Sequence, residues 1–316
     1  MYDVIIVGGG PAGLSAALIL GRCLRKVLIC DSGRPRNAWS HGMHCFISRD
    51  GVDPFKFLSL CHQDLKKYET VEYLFTEVTQ AKKIEDGFEI TTTAETVFRA
   101  KKLLIATGVI DNIPKLEGIV PLYGKSVFTC PYCDAWEQRG KRILIYGKSA
   151  RGKNLSLTLK NWSEDILLIT DGDTSLSEED REILKLNGIW LNEKKVKALK
   201  GEKGQLTAVE FEDGECIERD AMFFNTESWI RSRLLEQLGC PFDEKEGVPT
   251  DKYERTKVPG LYVAGNILRE VQLVIVAAAE GAEAAFGINT ALSKEDVRKP
   301  TQKKISYTVQ RSDTIQ

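Results

Sequence analysis

The fold is decided by one stretch near the N-terminus, Tyr2-Asp-Val-Ile-Ile-Val7-Gly-Gly-Gly-Pro-Ala-Gly13. Residues 3–7 form a β-branched apolar run, which is typical of a buried central strand in a parallel sheet. A glycine turn follows at once, the spacing of residues 14–24 predicts a helix, and residues 26–30 predict a second strand that Asp31 closes. Strand, glycine turn, helix, strand and acid in this order are typical of a unit that binds the ADP part of a dinucleotide.

Each small or acidic residue of this unit has its own expected role. Gly8 permits the tight turn, Gly10 lets a pyrophosphate approach the backbone because it has no Cβ, and Gly13 lets helix and sheet pack closely. Asp31 is expected to accept a hydrogen bond from the ribose. A turn with a structural role alone is the alternative, but the strand, helix and acid around the glycines favour a nucleotide site.

A second unit of the same layout lies in the middle of the chain. A strand at residues 142–146 leads into the loop Gly147-Lys-Ser-Ala-Arg-Gly152, then a helix-like stretch at 154–159 and a strand at 165–170. The repeated layout predicts a second dinucleotide-type domain.

The glycine loop of the second unit departs from the binding pattern. Ser149 replaces the second glycine, where its side chain would crowd a pyrophosphate, and Lys148 and Arg151 add bulk to the loop. The strand ends in Asp171-Gly-Asp173, not in the arginines that hold a 2′-phosphate. These departures predict a lost or altered nucleotide site and argue against NADPH as a cofactor. The alternative is a variant but working site in which Asp171 binds the ribose.

The stretch Phe128-Thr-Cys-Pro-Tyr-Cys-Asp-Ala-Trp136 carries a pattern typical of redox chemistry. Its two cysteines fit a reversible disulfide, because a turn that opens a helix brings such sulfurs within bonding range. Backbone N–H groups at a helix start lower the thiol pKa, and the thiolate is the species that exchanges with disulfides. Asp134 is placed to move a proton to or from the pair. The alternatives are two buried structural thiols and a zinc site, but no second Cys-x-x-Cys exists and all three histidines lie far upstream, so we expect no metal.

Composition limits the class of protein further. A length of 316 residues suffices for two α/β domains, and a net charge of −1 without a long basic run argues against a nucleic-acid partner. Eight cysteines in a chain of this length are not a disulfide framework. The N-terminus reads as a strand and not as a signal peptide, and the longest apolar stretch, residues 271–288, carries Glu280 and Glu283. We therefore expect no membrane segment and a cytoplasmic location.

Weaker patterns complete the outline. They predict a hairpin at residues 88–98, a strand at 102–105, a domain crossing between 111 and 127, a hairpin over 204–214, helices at 228–238 and 271–292, and a polar tail at 293–316.

These pieces, in this order, resemble the low-molecular-weight thioredoxin reductase family of flavoproteins. The resemblance extends to about residue 292 and is carried by Gly8-x-Gly10-x-x-Gly13, Ala106-Thr-Gly108, Cys130-Pro-Tyr-Cys133-Asp134 and residues 260–266 followed by Gln272. It implies an α/β fold of two dinucleotide-binding, Rossmann-like three-layer domains, the second inserted into the first. The implied units are an FAD-binding domain at 1–115 and 246–292, a Cys-x-x-Cys domain with a degenerate nucleotide fold at 116–245, and a tail at 293–316.

The resemblance also implies roles for individual residues. Cys130 and Cys133 form the redox disulfide, Cys133 lies against the flavin, and Asp134 is the proton donor. The helix beginning near Gln272 points its positive end at the flavin, which stabilises the anionic reduced form. The residues expected to bind FAD are Gly8, Gly10, Pro11, Ala12, Gly13, Asp31, Arg36, Asn37, His44, Val78, Thr107, Gly108, Gly265, Asn266, Gln272 and Leu273.

Several departures resemble a divergent branch of that family. The family's basic pair after the second nucleotide-binding strand is absent, and Asn266 replaces the usual acid at the ribityl turn. Arg34-Pro-Arg-Asn37 together with His44 is also typical of the branch. This branch includes ferredoxin-linked thioredoxin reductases, diflavin-linked disulfide oxidoreductases and small-molecule dithiol oxidases. The electron donors that it implies are a protein such as ferredoxin or a second flavin in the degenerate site.

The predicted function is that of an FAD-dependent disulfide oxidoreductase. Electrons pass between the flavin, the Cys130–Cys133 pair and an external dithiol or disulfide, carried by a thioredoxin-like protein or a small molecule, without NADPH. A homodimer is expected. The alternatives are an NAD(P)H-dependent thioredoxin reductase, a small-molecule dithiol oxidase that uses oxygen, and a non-catalytic flavin redox sensor. We expect a partly disordered tail, and the alternative is that its Tyr307 stacks on an isoalloxazine.

Overall fold

The computed structural model describes residues 1–225, 228–243, 247–267 and 271–297. Its first part builds one sheet and the helices against it. The elements are β1 (Tyr2–Val7), α1 (Pro11–Arg22), β2 (Val27–Asp31), α2 (Pro54–Leu65), β3 (Val71–Phe75), β4 (Val78–Ile84), β5 (Gly87–Thr92), β6 (Val97–Ile105) and β7 (Val109–Asp111).

The middle and C-terminal elements follow in chain order. They are a 3-10 turn (Val120–Leu122), β8 (Val127–Phe128), α3 (Pro131–Asp134), β9 (Ile143–Tyr146), α4 (Ser149–Leu159), β10 (Ile166–Ile169), α5 (Glu178–Leu186), β11 (Ile189–Asn192), β12 (Val196–Glu202), β13 (Gln205–Phe211), β14 (Cys216–Glu218), β15 (Ala221–Phe224), β16 (Ser228–Ile230), α6 (Leu234–Gln237), β17 (Leu261–Val263) and α7 (Val274–Asp296).

The first sheet brings its glycine turns to one edge. Its strand order is β3-β2-β1-β6-β5-β4, and β17 also pairs with β6. The parallel register sets Val7 opposite Cys30 and Ile105, and Ile105 opposite Val263. Because parallel strands end at the same edge, the turns that follow β1, β2, β6 and β17 meet there, which is where open α/β sheets bind ligands.

The N-terminal unit forms as the sequence predicts, and several neighbouring elements were not predicted. The hairpin of β5 and β6 is confirmed, but β6 is one long strand, antiparallel to β5 and parallel to β1, so the strand predicted at 102–105 is its continuation. Helix α2 and strands β3 and β4 were missed. Helix α2 begins where Asp53 accepts a hydrogen bond from the Lys56 N–H at 2.9 Å.

Helix α7 packs along α1 at very close range. A Cβ on Gly281 would lie 2.0 Å from the Ala12 carbonyl oxygen, so only glycine permits this approach. The helix begins at Val274 and ends at Asp296, four residues beyond the predicted end, because Arg25 donates hydrogen bonds to Asn289 and Asp296. The rest of the predicted tail, from residue 298 and including Tyr307, lies outside the described residues.

The second sheet repeats the parallel βαβ layout. Its order is β11-β10-β9-β15-β8, all neighbours are parallel, and β12, β13 and β14 form a separate antiparallel sheet that confirms the predicted hairpin. All of these strands lie between β6 and β17 in chain order, which confirms two Rossmann-like domains with the second inserted in the first. The domain boundaries at 115/116 and 245/246 stay predictions.

A two-stranded ribbon joins the two chain crossings. Strand β16 pairs antiparallel with β7, with Trp229 opposite Ile110. The helix predicted over residues 228–238 is therefore wrong in its first half, and only α6 is helical there. The apolar spacing of that segment is compatible with a helix, and pairing with β7 decides the strand. None of the helices in the described ranges combines the length and apolarity that a bilayer-spanning helix requires.

Candidate active site

A cavity of about 1310 Å³ lies at the edge where the turns of the first sheet meet, and it extends to the Cys-x-x-Cys segment of the second domain. Of the predicted site residues, all except Gly13 line it: Gly8, Gly10, Pro11, Ala12, Asp31, Arg36, Asn37, His44, Val78, Thr107, Gly108, Cys130, Cys133, Asp134, Gly265, Asn266, Gln272 and Leu273. The fold thus brings these residues to one place, although they come from distant parts of the chain.

The three glycines of the first turn have different surroundings. Gly8 has a φ of +111°, and a Cβ there would lie 2.3 Å from the Ala106 carbonyl oxygen. A Cβ on Gly13 would lie 2.0 Å from the Gly8 carbonyl oxygen, so these two glycines are required by the fold itself. Around Gly10, by contrast, no atom lies within 4 Å of a Cβ position. The space over Gly10 belongs to the cavity and fits a pyrophosphate.

Polar groups at the same edge also fit a dinucleotide. Asp31 ends β2 and accepts a hydrogen bond from the Tyr73 hydroxyl at 2.6 Å, with its second oxygen available to a ribose. The Thr107 hydroxyl is buried without a hydrogen-bond partner among the described residues, and Thr107 lines the cavity. A buried hydroxyl of this kind is costly unless a ligand satisfies it.

The far side of the cavity is closed by the start of α7. Gln272 precedes the helix, and Leu273 is its N-cap with an extended backbone. The positive end of α7 therefore faces the cavity, where it favours negative charge. Gly265, with a φ of +86°, donates its backbone N–H to Glu280 at 2.8 Å, which fixes the turn that carries Asn266.

Arg36 has a protein partner within the cavity wall. Its guanidinium forms two hydrogen bonds with Asp111, at 2.9 and 2.5 Å. Tyr123 donates its hydroxyl to the same carboxylate at 3.0 Å. Arg36 thus links the loop that follows β2 to strand β7, from which the chain crosses to the second domain.

The redox pair sits at a short helix that faces the cavity. Cys130 and Cys133 form a disulfide, with 5.3 Å between their Cα atoms. Cys130 is the N-cap of α3, and its Sγ accepts the Cys133 N–H at 3.1 Å. Both residues are partly buried. This N-terminal position is the one that lowers a thiol pKa once the disulfide opens.

Asp134 follows the pair in a setting that suits proton transfer. Burial raises the pKa of Asp134 to about 7, the charge that His44 carries when it is protonated opposes that rise, and the negative charge of Glu137 adds to it. A carboxyl group with this pKa both donates and accepts protons near neutral pH.

His44 and Glu137 lie beside Asp134 although the sequence places His44 far upstream. His44 lines the cavity, and its Nε2 is 3.7 Å from a Glu137 carboxylate oxygen. Its proximity to Asp134 was not predicted, because no spacing pattern links two segments that meet only in the fold. Among the described residues, no group of three or more His, Cys, Asp or Glu side chains is arranged to hold a metal ion.

The second glycine loop keeps only part of the nucleotide-binding geometry. Gly147 and Gly152 still pack together, since a Cβ on Gly147 would lie 2.8 Å from the Gly152 Cα. Ser149 has a left-handed backbone with a φ of +51°. Asp171 accepts hydrogen bonds from the Tyr146 hydroxyl at 2.6 Å and the Val196 N–H at 3.0 Å.

A dinucleotide-type cavity joined to a helix-start disulfide defines a class of flavin-dependent disulfide oxidoreductases. The family model described as pyridine nucleotide-disulphide oxidoreductase matches residues 2–281, and the chain belongs to that family. Within that family, the chain is similar to proteins named thioredoxin reductases. It is 32% identical to a probable thioredoxin reductase of Arthroderma benhamiae, over 84% of this chain and 74% of that protein.

Two further matches agree with this placement. The chain is 29% identical to the thioredoxin reductase aclD of Aspergillus oryzae, over 95% of this chain and 99% of the relative. The crystal structure of the putative thioredoxin reductase TrxB from Bacillus anthracis matches with a TM-score of 0.90 and 33% identity, over 93% of this chain and 99% of that one. The chain is thus a thioredoxin reductase-like flavin oxidoreductase, and the family implies FAD.

Proposed function

We propose that this enzyme exchanges electrons between FAD, the Cys130–Cys133 disulfide and an external dithiol or disulfide, without using NADPH. The observation that carries the proposal is Ser149, which begins α4 with a left-handed backbone (φ +51°) where a nucleotide-binding turn has its second glycine. In nucleotide-binding βαβ units the helix N-terminus holds the pyrophosphate. Here that end of α4 also lies within electrostatic reach of the Asp173 carboxylate.

Several contacts hold Asp173 in place. Its two carboxylate oxygens accept the Ser175 N–H at 3.0 Å and the Ser175 hydroxyl at 2.9 Å. These bonds, with a further one from the Ser149 N–H and the charge of Lys148, hold the pKa of Asp173 below its usual range. Negative charge close to Lys148 and Ser149, at the start of α4, would repel a dinucleotide phosphate. It argues equally against a second flavin in this loop.

The pattern of retained glycines supports the same conclusion. Gly147 and Gly152 correspond to Gly8 and Gly13, which the fold requires for close packing. The glycine that would leave room for a pyrophosphate is replaced by Ser149. The second glycine of such a turn serves the pyrophosphate, whereas the first and third serve the turn and the helix–strand packing.

FAD fits the first cavity, where Gly10, Asp31, Thr107 and the start of α7 would hold its phosphate, ribose and ring portions. The bound flavin supplies a reversible acceptor of two electrons. In the exchange step a substrate thiolate attacks one sulfur of the Cys130–Cys133 disulfide, and the S–S bond breaks. Its electron pair stays on the other cysteine, which takes a proton from Asp134.

The comparisons favour thioredoxin-like proteins as substrates, because the matched relatives are named thioredoxin reductases. Without NADPH, the donor is a dithiol or a one-electron protein such as ferredoxin. A second candidate is a small-molecule dithiol oxidase. It is favoured because the cavity reaches Cys130 and Cys133 themselves. In that reaction the dithiol becomes a disulfide and oxygen becomes hydrogen peroxide.

Two measurements on the FAD-loaded protein test the proposal. Under anaerobic conditions dithiothreitol should bleach the flavin absorbance of the native enzyme, and Cys133→Ser should abolish this reaction. Calorimetric titration with NADPH should give no binding at millimolar concentration. Binding with a micromolar dissociation constant would contradict NADPH independence and would favour the alternative of an NAD(P)H-dependent thioredoxin reductase.

A further inference from the structure

The loop of residues 43–52, in the domain of the first sheet, places His44 next to the Cys-x-x-Cys segment of the second domain. The loop is closed by a bridge between Met43 and Val52, with the Met43 N–H donating to the Val52 carbonyl at 2.8 Å. Left-handed residues turn the chain inside it, at Cys45 (φ +64°) and Ser48 (φ +70°). The His44 ring lies over Gly51, where an added Cβ would be 3.8 Å from the His44 Cε1.

His44 lies between two carboxylates. Its Nδ1 is 3.5 Å from an Asp50 oxygen, and its Nε2 is 3.7 Å from a Glu137 oxygen. Asp50 is itself fixed, because the same oxygen accepts the Cys45 N–H at 2.9 Å. The exposed fraction of the side chain rises from 21% at His44 to 39% at Glu137 and 69% at Asp50. The cluster therefore leads outwards from the cavity to solvent.

The loop is attached to the redox motif directly. The Cys45 thiol donates a hydrogen bond to the Tyr132 carbonyl at 3.2 Å, and Tyr132 lies between the two cysteines of the disulfide. Burial and the negative charges of Asp50, Glu137 and Asp134 raise the pKa of the Cys45 thiol. Asp50, Glu137, Asp134 and the protonated Cys45 are the titratable groups that face His44.

We propose that His44 passes protons between Asp134 and solvent during thiol–disulfide exchange, with Asp50 and Glu137 holding its ring. The inference rests on Asp134 as the proton donor of the proposed function. His44 and Asp134 line the same cavity, and His44 is near enough for its charge to act on the Asp134 carboxyl. Histidine suits this task because its imidazole exchanges protons in the neutral range.

The proton balance of the step is simple. When the disulfide opens, the leaving cysteine sulfur takes the proton of Asp134. Asp134 recovers a proton from the His44 imidazolium, and the neutral imidazole recovers one from water at the exposed Glu137 side. In the opposite direction, when the disulfide closes, the protons leave by the same route. No electron passes through His44.

The test compares His44→Gln with His41→Gln in the FAD-loaded protein. His41 lies in the same segment, is exposed, and has no place in the cavity wall, so it is a matched control. Dithiothreitol opens the disulfide, and the free thiols are trapped by rapid alkylation and counted by mass spectrometry. Rates are measured at several pH values, with and without added imidazole.

His44→Gln should lower the rate of disulfide opening near pH 7 by about tenfold, less than the roughly 10²–10⁴-fold of a direct general acid, because His44 acts through Asp134. Imidazole should restore the rate in a concentration-dependent way, whereas His41→Gln should match the native enzyme. A native rate in His44→Gln, or a low rate that imidazole does not restore, would overturn the relay. Asp134→Asn tests the proposed function separately from the relay. A native rate in that variant would show that Asp134 is not the proton donor, whatever the result for His44→Gln.

Discussion

Gly10→Val is expected to remove FAD while leaving the protein folded. The backbone of Gly10 is extended, with φ −79° and ψ −175°, so any residue adopts it without strain. A Cβ there meets no atom within 4 Å. The remaining cost is a poorer N-cap for α1, which we place at about 1 kcal/mol. For a domain of this size that lowers the melting temperature by roughly 2–4 °C.

Gly13→Ala is the matched contrast, because it adds one methyl group to the same turn. The new Cβ would lie 2.0 Å from the Gly8 carbonyl oxygen, so backbone has to move. Overpacking of this kind costs about 1–3 kcal/mol or more. The apoprotein of Gly13→Ala should therefore melt several degrees lower than that of Gly10→Val.

Two measurements on the same preparations check this contrast. Flavin absorbance after desalting gives the bound FAD, and circular dichroism of the FAD-stripped protein gives the melting temperature. Gly10→Val should retain little FAD and a nearly native apoprotein melting temperature. Full FAD retention in Gly10→Val would refute the assignment of the pyrophosphate site. An apoprotein as unstable as that of Gly13→Ala would refute the reading of the space around Gly10.

Two further predictions concern the redox segment. Cys130→Ser should leave the Cys133 thiolate beside oxidised flavin and show long-wavelength charge-transfer absorbance, whereas Cys133→Ser should not; the reverse pattern would exchange the roles of the two cysteines. Because burial raises the pKa of Asp134 to about 7, its ionisation disfavours the folded state, so stability should fall between about pH 4 and pH 7. Asp134→Asn should therefore be more stable than the native protein at pH 8 but not at pH 4, as measured by denaturant unfolding. The same difference in free energy of unfolding at both pH values would show that the pKa of Asp134 is not raised.

The parts of the fold that sequence predicts well are those with strong local signals. Residues 3–7 are apolar throughout and lie buried in β1, and the glycine turn fixes where α1 begins. Strand β4, Val-Thr-Gln-Ala-Lys-Lys-Ile, carries few apolar residues and depends on pairing with β5, so its sequence alone does not indicate a strand. Strand β16 was taken for a helix because its partner β7 is far away in the chain.

The same limit applies to the site. That Gly10, Asp31 and Cys133 line one cavity was predictable, because each stands in a motif of fixed spacing. The contact between His44 and Glu137 depends on a loop closed by Met43 and Val52, and no local sequence pattern predicts that contact.

The contacts of the acidic residues Asp171 and Asp173 could not be predicted from the sequence either. The sequence shows acids after β10, but not that the Asp173 carboxylate bonds to the Ser175 N–H and hydroxyl within reach of the charge of Lys148. Asp171, which the alternative reading assigned to a ribose, accepts hydrogen bonds from Tyr146 and Val196 within its own domain. These contacts are tertiary, and the left-handed backbones of Ser149 and Asp171 beside them are not apparent from the sequence.

The most direct test of NADPH independence is stopped-flow absorbance of the flavin under anaerobic conditions. We predict that NADPH and NADH at millimolar concentration leave the oxidised spectrum almost unchanged over many seconds, while dithionite reduces the flavin fully. The dithionite reaction shows that the flavin in the sample is competent. Fast bleaching by NADPH at micromolar concentration would contradict the account, because the Ser149 loop and the Asp173 carboxylate would then not prevent nucleotide binding.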